Sequence, residues 1–109
     1  MAYSPSLAAR VRSILVRRHG FAEKRMFGGL CFLLHGKICV GVWKDSLLVR
    51  VGVDQAPQTL EKPFTQQMTT GGKPMRGWIL VEPDGVDSDT QLQGWIDTAI
   101  EIVQSLPEK

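Results

Sequence analysis

Between Met26 and Gly52 hydrophobicity follows a period of two, broken at His35-Gly36 and at Lys44-Asp45. The segments so divided are Leu30–Leu34, Lys37–Trp43 and Ser46–Gly52. Successive strands joined by two-residue loops predict an antiparallel meander, with His-Gly standing in for the commoner Asn-Gly turn. Loops this short also set the register. Across the first loop the expected pairs are Leu34/Lys37, Leu33/Ile38, Phe32/Cys39 and Cys31/Val40. Across the second they are Trp43/Ser46, Val42/Leu47, Gly41/Leu48, Val40/Val49, Cys39/Arg50 and Ile38/Val51. Paired side chains share a face. One face then reads Cys31, Leu33, Ile38, Val40, Val42, Leu47, Val49 and Val51, all apolar, and is expected to carry helices. The other reads Phe32, Leu34, Lys37, Cys39, Trp43, Ser46, Leu48 and Arg50, a mixture. A slip of one residue would scramble this separation.

Helices flank the meander. Ser4 is a good cap and Pro5 a good first helical residue. Leu7, Val11, Ile14 and Leu15 then recur at helical spacing beside Ala8, and Gly20 is a natural terminator, so a helix is expected from Pro5 to His19. After Gly52, Asp54 opens a short helix to Leu60, Phe64–Met68 is an edge strand, and Gly71-Gly72 turns into Met75–Val81. Glu82-Pro83-Asp84-Gly85 is a turn. Asp87 or Ser88 caps a last helix with a stripe of Leu92, Trp95, Ile96, Ala99, Ile100, Val103 and Leu106. The whole is an α+β two-layer sandwich: a mainly antiparallel sheet of about five strands, with the N- and C-terminal helices packed on one face.

A chain of 109 residues suits one domain, here residues 1–109, and 43% hydrophobic with 22% charged residues excludes disordered and collagen-like classes. No apolar run approaches the roughly 18 residues of a membrane span, and arginines interrupt the N-terminal apolar stretch, so a cytoplasmic location without membrane contact is expected. Charge is uneven: residues 1–50 hold nine basic and two acidic groups, residues 51–109 four basic and nine acidic. Such polarity either steers an acidic partner or is neutralised between the halves on folding.

Catalytic chemistry is sparse. Cys31 and Cys39 fall on opposite faces of the expected sheet and cannot bridge within the chain. They read as free thiols, with an intermolecular disulfide as the alternative if Cys39 lies on an open face. With His19 and His35 they lack zinc-finger spacing. Gly28-Gly29 lacks the Lys-Ser/Thr ending of a phosphate loop and precedes a strand, so a bulge or close backbone approach explains it better. Gly71-Gly72 is read as a turn, His19 as a helix C-terminal imidazole, and His35 as a solvated hairpin tip. Asp84, Asp87 and Asp89 suit a turn and a helix start. No catalytic residue, metal site or cofactor is expected, and the chain reads as a non-enzyme.

Two surfaces remain. The mixed sheet face offers Phe32, Leu34, Lys37, Trp43, Leu48 and Arg50, the aromatic and basic composition enriched at protein interfaces, and is the candidate partner or homodimer surface. The alternative is that Gln55–Lys62 covers it. The first helix offers Arg10, Arg12, Arg17 and Arg18 as candidate nucleic-acid contacts, without the aromatic interleaving of single-strand binders. A ligand site between the helices and the Gly28-Gly29 strand is a further reading.

Arg25-Met26-Phe27-Gly28-Gly29-Leu30-Cys31-Phe32, Leu47–Gly52, and Pro74-Met75-Arg76-Gly77-Trp78 together resemble the TfoX/Sxy N-terminal domain family, as does the Trp95 helix ending in Ser105-Leu106-Pro107. The resemblance runs from about Ser4 to Pro107. It implies a two-layer domain with an antiparallel sheet and no catalytic residues. The family is named for competence regulators that act with the cyclic-AMP receptor protein at promoters, so a protein partner in the transcription machinery is implied. Its longer members carry a C-terminal helical module that this chain is expected to lack. The motif residues Arg25, Met26, Phe27, Gly28, Gly29, Gly77 and Trp78 are expected to mark the fold.

Overall fold

A computed structural model describes residues 3–26 and 28–106. In chain order the elements are α1 (Pro5–Leu15), β1 (Phe21–Met26), β2 (Gly29–Leu34), β3 (Lys37–Trp43), β4 (Ser46–Arg50), α2 (Ala56–Thr59), β5 (Thr65–Thr70), β6 (Lys73–Val81), a 3-10 turn (Pro83–Gly85) and α3 (Asp89–Ser105). The strands form one sheet in the order β1-β2-β3-β4-β6-β5, every neighbour antiparallel. The α+β sandwich is as expected, with six strands rather than five.

The additional strand is β1. Its residues Phe-Ala-Glu-Lys-Arg-Met expose four consecutive side chains, so it carries no alternation to read. It forms by pairing back along β2, with Met26 opposite Gly29 and Phe21 opposite Leu34. A charged edge strand of this kind also discourages unwanted strand pairing. The same strand shortens α1, which stops at Leu15 instead of His19. Beyond Leu15 no apolar residue returns to the core at helical spacing, and the chain must turn for Phe21 to pair with Leu34.

The register of β3 with β4 is as expected over Val40↔Val49, Gly41↔Leu48, Val42↔Leu47 and Trp43↔Ser46, but the expected pairs Cys39/Arg50 and Ile38/Val51 are not in the ladder, which ends where Cys39 bulges. Between β2 and β3 it starts as expected with Leu34↔Lys37 and Leu33↔Ile38. It then slips, pairing Phe32 with Val40, Cys31 with Gly41 and Leu30 with Val42. Cys39 is the extra residue of a β-bulge. A slip of one residue inverts every side chain beyond it, so the two expected faces are joined the wrong way round. Phe32, Leu34 and Cys39, expected on the mixed face, belong to the helix-side core and are 0%, 4% and 0% exposed. Cys31 and Leu33 lie on the other face. The bulge has a physical logic: it points Leu30, Phe32 and Leu34 to the same side as Val40 and Val42, giving both helices one continuous apolar floor.

Onto that floor α1 lays Leu7, Ala8, Val11 and Leu15, and α3 lays Leu92, Ile96, Ala99, Ile100 and Val103. The caps are the expected ones. The Ser4 hydroxyl accepts from the Leu7 amide at 3.2 Å. Ser88 and Gln91 form a reciprocal capping box, with bonds of 3.1 and 2.9 Å. Ala56 of α2 joins the same core with Leu60 against it, so Gln55–Lys62 packs on the helix side and does not cover the opposite face.

The bulge makes a distinctive prediction. Because the Phe32 ring fills the helix-side core and stacks on Phe21 with centroids 6.1 Å apart, Phe32→Ala is expected to cost about 3–5 kcal/mol in urea denaturation. A ring on an open face would cost under about 1 kcal/mol.

Candidate functional site

The face of the sheet turned away from the helices is built where β2, β3, β4 and β6 lie side by side. Cys31, Gly41, Leu48 and Leu80 form one row across it, paired strand to strand. Arg50 and Trp78 are opposite each other in the next row. Leu48, Met68 and Leu80 form a small second core, 2%, 2% and 7% exposed, with Trp43, Met75 and Trp78 packed against it and half-buried themselves. Leu33 and Ile38, paired before the bulge, are half-buried on the same face. Among the described residues no helix lies over this face.

Two cations accompany the indoles. The Arg50 guanidinium stands over Trp78, 5.2 Å from the ring centroid, and donates to the Ile38 carbonyl at 3.2 Å. The Lys44 ammonium stands 4.5 Å from the Trp43 ring. Cations seated on indole faces are attracted by the ring electrons while keeping their charge at the surface. Trp78 was legible only as a motif residue; with no pairing for the second half of the chain, nothing placed it beside Arg50. It is aimed there by Gly77. That residue has φ +87, its carbonyl accepts from the amides of Val51 and Gly52 at 2.9 and 3.0 Å, and a Cβ would stand 3.1 Å from the Val53 nitrogen. Only glycine suits such a crossing.

Of the six residues expected to share the partner surface, Trp43 and Arg50 lie on the open face and are half-buried, and Leu48 lies beneath them, buried. Phe32 and Leu34 are in the helix-side core. Lys37 pairs with Leu34 and so also faces the helix side, by a cavity at the hairpin tip. Arg25 is an exposed residue of β1 and Met26 is half-buried. Phe27 lies outside the described residues. Gly28 takes φ +78, a turn conformation that favours glycine, and at Gly29 a Cβ would be 2.3 Å from the Val42 carbonyl oxygen. Gly29 therefore serves close backbone approach, as one reading of the sequence had it, and Gly28 serves the turn before β2.

The arginines expected to meet nucleic acid divide in two. Arg10 donates to Asp89 at 3.3 Å and to the Asp87 carbonyl at 3.2 Å. Arg12 grips Glu23 through two bonds of 2.5 and 2.9 Å, which hold that carboxyl below its ordinary range. Arg17 and Arg18 fall in the turn after α1 and make no ion pair among the described residues. His19, expected at a helix C-terminus, is four residues past Leu15 in that same turn and meets no helix end of α1. His35 is an exposed hairpin-tip residue as expected.

Both cysteines are buried, on opposite faces as expected but with the faces exchanged. Burial pushes the Cys31 thiol from 9.0 up to about 11, and the Cys39 thiol up to about 12 against a small opposing pull from Arg18 and Arg50. Thiols so protonated are neither nucleophiles nor ready disulfide partners. Among the described residues no group of three or more His, Cys, Asp or Glu side chains could hold a metal ion, and no helix is long and apolar enough to cross a membrane.

An antiparallel sheet with helices on one side and a tryptophan-bearing surface on the other defines an open-faced α+β sandwich. The chain belongs to the TfoX N-terminal domain family, whose model matches residues 14–102. Comparison with curated proteins and with solved structures gave no significant match.

The thiols supply a pH test. A group whose pKa is raised on folding contributes stability that is complete below the unfolded value and declines above it. Stability is therefore expected to hold up to about pH 9 and to fall as pH rises toward 11 and 12. The Cys31→Ala/Cys39→Ala variant should show a shallower decline in urea titrations across that range.

Proposed function

We propose that this domain is a non-catalytic interaction module that acts by protein contact and pairs with a second copy of itself through the open sheet face. The observation that carries this reading is the uncovered face itself. Trp43, Trp78, Leu33 and Ile38 are held half-exposed there, with Arg50 and Lys44 at their edges. Large aromatics beside arginine, over a buried apolar centre, are the residues in which interface binding energy concentrates. A two-fold arrangement would set the same strip against itself. The buried, protonated cysteines fit a module without covalent chemistry.

Membership of the TfoX N-terminal domain family supports extending this reading to a bacterial, transcription-associated regulator that works in the cytoplasm through a protein partner. Direct DNA contact by the first helix is the weaker reading, because Arg10 and Arg12 already hold carboxylates.

Sedimentation equilibrium tests the proposal. The wild-type chain is expected to associate, and the Trp43→Ala/Arg50→Ala variant to dissociate at least about tenfold more readily, the effect of a loss of about 1.4 kcal/mol, with unchanged circular dichroism. A folded double variant that assembles like wild type would remove this face as the interface.

A further inference from the structure

Away from that face, the β2–β3 hairpin tip, the turn after α1 and the end of α3 enclose a cavity of about 390 Å³. Its apolar lining is Leu34, Val103 and Leu106, with the Gln104 amide beside them. Its remaining wall is Arg18, His19, His35 and Lys37. No carboxylate lines it among the described residues. The chain has two histidines in all, and both stand here with ring centroids 5.6 Å apart. Arg10 and Arg12 have acidic partners elsewhere, whereas neither Arg18 nor Lys37 makes an ion pair among the described residues.

The backbone beneath this mostly exposed wall is held in place. His35 takes φ +53 at the first position of a two-residue turn, a left-handed conformation in which Asn or Gly is the common occupant. Its amide donates to the Gly20 carbonyl at 3.0 Å. A Cβ on Gly20 would lie 2.6 Å from His35 Nδ1, so the imidazole rests directly on the glycine backbone. The hairpin tip is thereby fastened to the turn that carries Arg18 and His19, which brings the four nitrogen-bearing residues to one opening. Residues held in an uncommon conformation tend to cluster at ligand sites.

We propose that this cavity binds a small organic phosphate, with the phosphate at the cationic rim and the apolar part of the ligand against Leu34, Val103 and Leu106. The volume falls within the range of small-molecule sites. A guanidinium fork, an ammonium and two imidazoles border the one cavity and offer several donors, the demand of a phosphate monoester more than of a single carboxylate. A concave, partly apolar site fits a small molecule better than the flat run of a nucleic-acid backbone.

Phenyl phosphate is a suitable ligand for the test, followed through the two histidine imidazoles by NMR at fixed pH, with inorganic phosphate and chloride compared at equal ionic strength. Both imidazoles are expected to shift saturably with phenyl phosphate, at a dissociation constant of about 1 mM or below. Inorganic phosphate should bind more weakly and chloride should not saturate. Arg18→Gln and Lys37→Gln, each checked for fold by circular dichroism, should weaken binding about tenfold. Shifts that match chloride, or variants that bind as wild type does, would overturn the proposal. So would a short DNA duplex that moves both imidazoles at lower concentration than phenyl phosphate.

Discussion

The structure turns on one inserted residue, Cys39. A sheet with helices on one side needs its largest apolar side chains to point together, and the run Leu30–Leu34 and the run Lys37–Val42 satisfy that only if one residue is skipped between them. The bulge makes the adjustment. It turns Phe32 and Leu34 toward α1 and α3, buries the Cys39 side chain with them, and leaves Leu33 and Ile38 on the opposite side. The core under the helices and the composition of the free face therefore have the same cause. Without the skipped residue the helix-side floor would lose its largest ring, and the free face would gain it.

Much of this was legible from local chemistry. Two-residue loops, the Ser4 and Ser88 caps and the apolar stripe of α3 are short-range signals, and each forms where expected. What escaped depends on tertiary demands. The bulge has no turn residue to mark it, and its only trace was that an unbroken register sent Phe32 and Leu34 away from the helices. β1 has no alternation because it is a charged edge, and α1 was read too long because Arg17, Arg18 and His19 are as compatible with a helix as with a turn. Of the residues expected on the mixed face, Trp43 and Leu48 lie on the open face because β3 and β4 keep the simple register beyond the bulge, and Arg50 follows Leu48 two residues on along β4.

The result is a domain with two differently equipped regions. The free face is broad, aromatic and edged by cations seated on indole rings, which suits contact with another protein surface. The cavity at the hairpin tip is small and concave, with cationic groups around an apolar floor, and it depends on Gly20 accepting the His35 ring. The family's Gly29 and Gly77 serve the first region, since each permits a close backbone approach, at β2 beside β3 and before Trp78, and Gly28 supplies the turn before β2. The cavity draws on none of them, so the two regions can be altered separately.

The bulge itself is most directly tested by cross-strand nuclear Overhauser effects between β2 and β3 in the wild-type chain. The account predicts backbone contacts that pair Phe32 with Val40 and Cys31 with Gly41, and contacts from the Phe32 ring to side chains of the helix-side core. Pairing of Phe32 with Cys39, with the ring instead close to Leu48 and Trp43, would contradict it.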